Sequence, residues 1–349
     1  MKINKYLGFK MNDVTLNEDI LSFVSSYKDC DLISNSSFLI TGSTGLIGSV
    51  VTRCLLGLNE KFQLNLLVIC PVRNFNKARL NINDSSSSLK YISMDEMTDI
   101  QNVDFIVHCA APTNSSDFVN KSIETIDGIV TLTRSILEIA DKIKVRSMVY
   151  LSSLEVYGQV LDDAIPVTED IQGYINPLNS RSSYSLGKRM AEMLCYCFSK
   201  ERNVQVKIAR LTQTFGPGVY ENDNRVFAQF AKSAILNENI ELSTEGKSAK
   251  PYCYTIDAVN AILTILLKGQ NGEAYNVANE DSYISIKNMA DLVIENFNPS
   301  IKVNIKLDPT KGYAPDTKLR LSCHKLKALG WIPNYDLITM FDRLIQYIK

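Results

Sequence analysis

Short apolar runs alternate along most of this chain with longer segments in which apolar residues recur every third or fourth position. The first kind predicts buried strands, the second helices packed by one face. Ser37 to Thr41, Leu64 to Cys70, a stretch around Tyr91, Asp104 to Ala110, Met148 to Ser153 and Val204 to Leu211 read as strands, with Leu154 to Gly158 continuing the fifth. Between them, Ser49 to Leu58 and Ile123 to Ala140 read as helices, the latter with Ile126, Ile129, Val130, Thr133, Ile136 and Leu137 on one side. Such alternation implies βαβ units, hence an α/β fold with a doubly wound parallel sheet. Beyond residue 212 the pattern loosens. Phe227 to Leu236, Ile256 to Leu267 and Ile284 to Phe297 look helical, Glu273 to Val277 looks like a strand, and Leu326 to Leu329 is helical up to Gly330 and Trp331. The chain thus divides into three regions. Residues 1–35 form an N-terminal helical extension in which Ile20, Leu21, Phe23 and Val24 could dock on the body. The sheet domain covers 36–212, with a return at about 251–278, and a smaller C-terminal α/β lobe from 213–250 and 279–349 would cap the sheet's ligand edge.

Composition narrows the partners. Lys plus Arg (37) balances Asp plus Glu (38) over 349 residues, which argues against nucleic acid. The eight cysteines are scattered without a C-x-x-C pair and read as buried, reduced thiols of a cytoplasmic protein. Neither of the two histidines, His108 and His324, lies among ligands at metal-binding spacing, so no metal site is expected. No stretch is long and apolar enough for a membrane span, and the first residues lack a signal core.

The candidate chemistry begins at Gly42-Ser43-Thr44-Gly45-Leu46-Ile47-Gly48, a glycine turn between a strand and a helix. That order suits a Rossmann-type dinucleotide site, because glycines allow a diphosphate close to the backbone and the helix start offers unpaired N–H groups. After the second strand Arg73 appears where an acid would bond an adenosine ribose. It could meet a 2′-phosphate or lie over the adenine. Asp95 could touch the adenine, though a surface carboxylate is an equal reading, and Ala110-Ala111-Pro112 allow a ligand near the backbone. Tyr184 and Lys188, four residues apart, share one face of a helix, where an ammonium can favour the phenolate. A surface pair would show the same spacing.

Taken together, these segments resemble the extended short-chain dehydrogenase/reductases, in the NAD-dependent nucleotide-sugar epimerase/dehydratase branch. The resemblance rests on Thr41 to Gly48, His108-Cys109-Ala110-Ala111, Leu151 to Gly158, Tyr184 to Lys188, Arg210 with Phe215-Gly216-Pro217-Gly218, and Leu329-Gly330-Trp331. Ser182 to Glu192 and Asn224-Arg225-Val226 look most like UDP-glucuronate decarboxylases and their relatives. By this resemblance Tyr184 is the acid/base, Lys188 lowers its pKa and bonds the nicotinamide ribose, and Ser153 shares a hydrogen bond with the reacting hydroxyl. The cofactor implied is NAD, with NADP not excluded.

Departures from the family pattern bear on the step after oxidation. Leu154 stands where dTDP-glucose dehydratases place an aspartate, while Glu155 keeps the neighbouring glutamate as a proton carrier. The arginine with which decarboxylases hold a sugar carboxylate has no counterpart in Tyr313-Ala314-Pro315-Asp316, for which Lys250 or Arg320 could substitute, and Gln213 replaces a usual asparagine. The expected reaction is therefore epimerisation of a nucleoside-diphosphate sugar or sugar alcohol, a precursor of surface polysaccharide. A lyase, either 4,6-dehydratase or decarboxylase, is the alternative, and a net dehydrogenase or reductase comes next. Gln213, Arg225, Lys250, Tyr252 and Arg320 are the candidates for substrate contacts, and the resemblance implies a homodimer through helices near Ile123 to Ala140 and Tyr184 to Phe198.

Overall fold

The computed structural model describes residues 13–82, 86–308 and 316–349. Residues 1–12 of the extension, Asp84 and Ser85 of a polar loop, and Tyr313 to Pro315 ahead of Asp316 lie outside the described residues.

Strands β1 (Ser37–Thr41), β2 (Leu67–Pro71), β3 (Leu89–Ile92), β4 (Phe105–His108), β5 (Ser147–Ser153) and β6 (Val206–Leu211) enter one sheet. After β7 (Gln213–Phe215), β8 (Ile240–Leu242) and β9 (Ala249–Tyr254), β10 (Ala274–Val277) completes it. The order is β10-β6-β5-β4-β1-β2-β3, with every pair parallel. Alternation along β1 sends Phe38 and Ile40 into one hydrophobic layer and Leu39 into the other. Both faces must then be covered, and helices do it. On one side lie α3 (Leu46–Phe62) and α9 (Thr255–Lys268), with α1 (Asp13–Ser26) against both; on the other lie α6 (Ser122–Ile143) and α7 (Ser183–Arg202). This is the doubly wound, Rossmann-type α/β architecture.

The second sheet is β11-β9-β7, where β11 (Asn279–Ser285) runs antiparallel to β9 and β7 parallel to it. A parallel pair joins β12 (Val303–Ile305) to β8. Against them pack α8 (Val226–Leu236), α10 (Ile286–Phe297) and α12 (Leu337–Ile348). The short helices α2 (Cys30–Ile33), α4 (Phe75–Ile82), α5 (Ser115–Asn120) and α11 (His324–Ala328) complete the order.

Four expectations change. Leu154–Tyr157 forms a turn of 3-10 helix rather than more strand, because the Ser153 hydroxyl accepts the Glu155 N–H and Gly158, at φ +68°, turns the chain away. The buried stripe of α6 runs through Thr125, Ile129, Thr133, Ile136 and Leu137, leaving Ile126 exposed. Threonine serves there because its hydroxyls find partners: Thr125 donates to Asp117 O and Thr133 meets His108. Residues 251–254 belong to β9 in the second sheet, so the chain rejoins the main sheet's layers at α9. The tail carries a further amphipathic helix, α12, whose Met340, Phe341, Leu344 and Ile345 are buried.

Candidate active site

The strand order reverses between β1 and β4, so the loops leaving those two strands splay apart and open a crevice. Thr41 and His108 are register partners at its floor. Gly42 sits at φ +68°, and a Cβ there would lie 2.8 Å from the Ala110 backbone, so only glycine fits. At Gly48 a Cβ would overlap the Gly42 carbonyl. Between them Gly45 caps α3 without a side chain, and the helix's first N–H groups, from Leu46 and Ile47 onward, have no acceptor within the helix. A cradle of bare backbone at a helix start fits a dinucleotide diphosphate. Along the same edge, Arg73 follows β2, Asp95 follows β3, and both are exposed; Ala110 and Ala111 follow β4 half-buried.

α7 supplies the polar end of the crevice. Tyr184, Lys188 and Glu192 fall four residues apart on one face. The Lys188 ammonium is buried, donates to the Leu151 carbonyl at 2.6 Å and lies 4.7 and 5.8 Å from the ring centres of Tyr150 and Tyr184. Burial brings its pKa down to about 8, against the pull of the Glu192 carboxylate. Glu192 in turn accepts from Ser152 and makes an ion pair with Arg210 at 2.7 Å.

Burial, then the Glu155 carboxylate, hold the Tyr184 phenol well above its ordinary range; a hydrogen bond with Ser153 and the charges of Arg181 and Arg225 pull it down. Lys188, expected to supply that pull, gives a hydrogen bond to the Leu151 carbonyl and holds its charge 5.8 Å from the Tyr184 ring centre. Phe118 stacks on the Tyr184 ring at 4.3 Å and 14°. The Arg181 guanidinium lies 5.0 Å from the Phe118 ring centre. Glu155 is not a free carboxylate: Arg181 holds both oxygens at 3.0 Å, and Ser185 donates to one at 3.0 Å. Arg189 bonds the carbonyls of Val156 and Gly173, pinning the 3-10 turn to α7.

The substrate candidates separate. Arg225 is paired with Asp223 yet acts electrostatically on Tyr184, and Lys250, half-buried, is coupled to Glu155, Arg181 and Arg225. Gln213 opens β7, half-buried beside Tyr252 in register. Tyr252 itself is a core residue, fully buried edge-on against Phe215, and Arg320 is exposed near Tyr283. Neither joins the group around Tyr184: the Tyr252 ring is packed among core aromatics and Arg320 faces solvent. Two contributors were missed, Arg181 and Phe118. Arg181 precedes Tyr184 by three residues, a readable spacing, whereas nothing around Phe118 marks it.

A family model described as "NAD dependent epimerase/dehydratase family" matches residues 38–278. UDP-glucuronic acid decarboxylase 1 of Danio rerio is 28% identical over 337 residues, covering 94% of this chain and 77% of that protein. UDP-glucuronic acid decarboxylase 5 of Arabidopsis thaliana is 29% identical over 311 residues, covering 87% and 86%. Among solved structures, the Bacillus cereus UDP-glucuronic acid 4-epimerase in complex with UDP-glucuronic acid and NAD aligns with a TM-score of 0.74 at 20% identity, over 89% of this chain and 98% of that one. The Bacillus anthracis dTDP-glucose 4,6-dehydratase in complex with NAD gives 0.73 at 21%, over 89% and 96%. These likenesses are to the fold.

Proposed function

Because this chain belongs to the NAD-dependent epimerase/dehydratase family, we propose that it is an epimerase of a nucleoside-diphosphate sugar or sugar alcohol, working through transient oxidation of a secondary alcohol. The observation that carries this reading is the Glu155 carboxylate, held by Arg181 and Ser185. An elimination needs a carboxylate free to take a proton from carbon; oxidation and re-reduction at one carbon needs none. NAD, bound at this crevice, would supply a hydride acceptor and donor for the carbinol carbon. Gly42 to Gly48 hold its diphosphate, with Arg73 and Asp95 at the adenosine end.

Tyr184 takes the alcohol proton and gives it back. Its raised pKa suits the donating half; for the accepting half the cations Lys188, Arg181 and Arg225 stabilise the phenolate. Ser153, bonded to Tyr184, shares the same oxygen. Phe118 covers one face of the tyrosine and keeps water from it. Arg225, Lys250 and Gln213 receive the nucleoside diphosphate end of the substrate. Exposed Ile123, Met190, Met193 and Tyr196 on α6 and α7 support a homodimer contact there.

Incubation with nucleotide sugars should give an isomer of unchanged mass, and Tyr184→Phe should lower turnover at least about a hundredfold. A product lighter by water or carbon dioxide sinks the epimerase reading; undiminished turnover by the variant sinks the catalytic assignment. One observation favours a second reading, decarboxylation of a nucleotide-linked uronate: Lys250, coupled to Glu155 and without an ion-pair partner among the described residues, could hold a sugar carboxylate. It predicts release of carbon dioxide.

A further inference from the structure

The segment between β7 and α8 reaches back to the glycine loop. Its turn lies on the first coils of α3: a Cβ on Gly218, at φ +100°, would press on Leu46 and Val50 at 3.1 and 3.2 Å. Two residues later the Tyr220 hydroxyl donates to the Thr44 carbonyl. From α4, Asn81 Nδ2 donates to the same hydroxyl at 2.8 Å and to the same carbonyl at 3.1 Å, while the Lys77 ammonium lies 4.9 Å from the Tyr220 ring centre. Lys77 and Asn81 are one helical turn apart, so both reach from one face. The far end of the segment is fixed as well, since Lys232 donates to the carbonyls of Glu221 and Asp223 at 2.5 and 2.9 Å. Tyr220 is 37% exposed, too open for a core role.

We propose that Tyr220 and Asn81 form a latch between the glycine loop and the substrate lobe that slows release of the bound dinucleotide. The proposal rests on the glycine loop being the NAD site. Thr44 lies in the loop on which the diphosphate must settle and from which it must leave. Bonds from a second lobe and from α4 converge on its carbonyl, so the loop opens only when they break. A reaction that returns its hydride gains from a cofactor kept through many turnovers; a net dehydrogenase must exchange it.

The test uses NADH as probe. Whole chain loaded with NADH is mixed with excess NAD, and the decay of NADH fluorescence gives the release rate for wild type, Tyr220→Phe, Asn81→Ala and the double variant. Each single change should speed release about three- to tenfold, the worth of one lost hydrogen bond. The double variant should be faster than either single but slower than the product of their effects, because the Asn81–Tyr220 bond is lost in both singles while each leaves the other residue bonded to Thr44. Unchanged release in both singles, or multiplicative effects in the double, overturns the latch. A wild-type chain that takes up no NADH overturns the cofactor reading with it. NADH held equally by all four forms removes the latch alone.

Discussion

At Tyr184 burial, the Glu155 carboxylate, a serine hydroxyl and two guanidinium groups determine the phenol's acidity together, and the Lys188 ammonium stands 5.8 Å from the ring centre. Burial brings the pKa of that ammonium down to about 8, within reach of neutral pH. Below that pH the amine is charged; above it the charge is lost, and with it support for the phenolate. Activity should therefore fall as the pH rises through about 8, and Lys188→Met should lack that limb at a much lower rate; a pH profile of kcat checks both. Glu155→Gln separates two roles of the same residue. As an anchor of Arg181 its loss should cost less than about tenfold, whereas a proton carrier would cost about a hundredfold or more, read from initial rates. The Tyr184/Lys188 pair was legible because both stand on one helix. The Arg181–Glu155 pair was not: 26 residues and a change of element separate them, and no spacing rule spans that gap.

Elements were legible wherever their signal was local. β1, the glycine turn and α3 follow from adjacent residues: β1 falls where the pattern placed it, and α3 contains the expected Ser49 to Leu58 and runs beyond it at both ends. The 3-10 turn after β5 reads as strand because Leu154, Val156 and Tyr157 are apolar; what bends the chain there is a serine cap and a left-handed glycine. α6 shows the converse, with Thr125 and Thr133 in the buried stripe and Ile123 and Ile126 exposed. That exposed face, continued on α7 by Met190 and Met193, is the proposed dimer surface. A charge in it should be costly. Met193→Glu should run as a monomer in light scattering where the wild type runs as a dimer, with secondary structure unchanged by circular dichroism; a wild-type monomer would contradict the assignment.

At the scale of the whole molecule, two lobes share one crevice. The seven-stranded sheet presents its cofactor edge at β1 and β4, and the second lobe brings the charge of Arg225 to bear on Tyr184 and that of Lys250 on Glu155 and Arg181. α1 ties the two together: Asp19, buried, pairs with Arg343 of α12 at 2.7 Å and accepts from Tyr254 at the end of β9. Parallel topology could be read from alternating elements, but the lobe's short strands carried too few residues for a period to show, so which of its polar side chains face the crevice needed the structure. No helix among the described residues is long and apolar enough to cross a membrane. The central claim is that an alcohol is oxidised and restored within one site. Its most direct test supplies a nucleotide sugar carrying deuterium on the carbinol carbon and monitors the product by mass spectrometry and NMR. The account predicts an epimer of unchanged mass that keeps its deuterium, formed by the wild type and not by Tyr184→Phe. A product lighter by water or carbon dioxide, or an epimer that has lost the label to solvent, would contradict it.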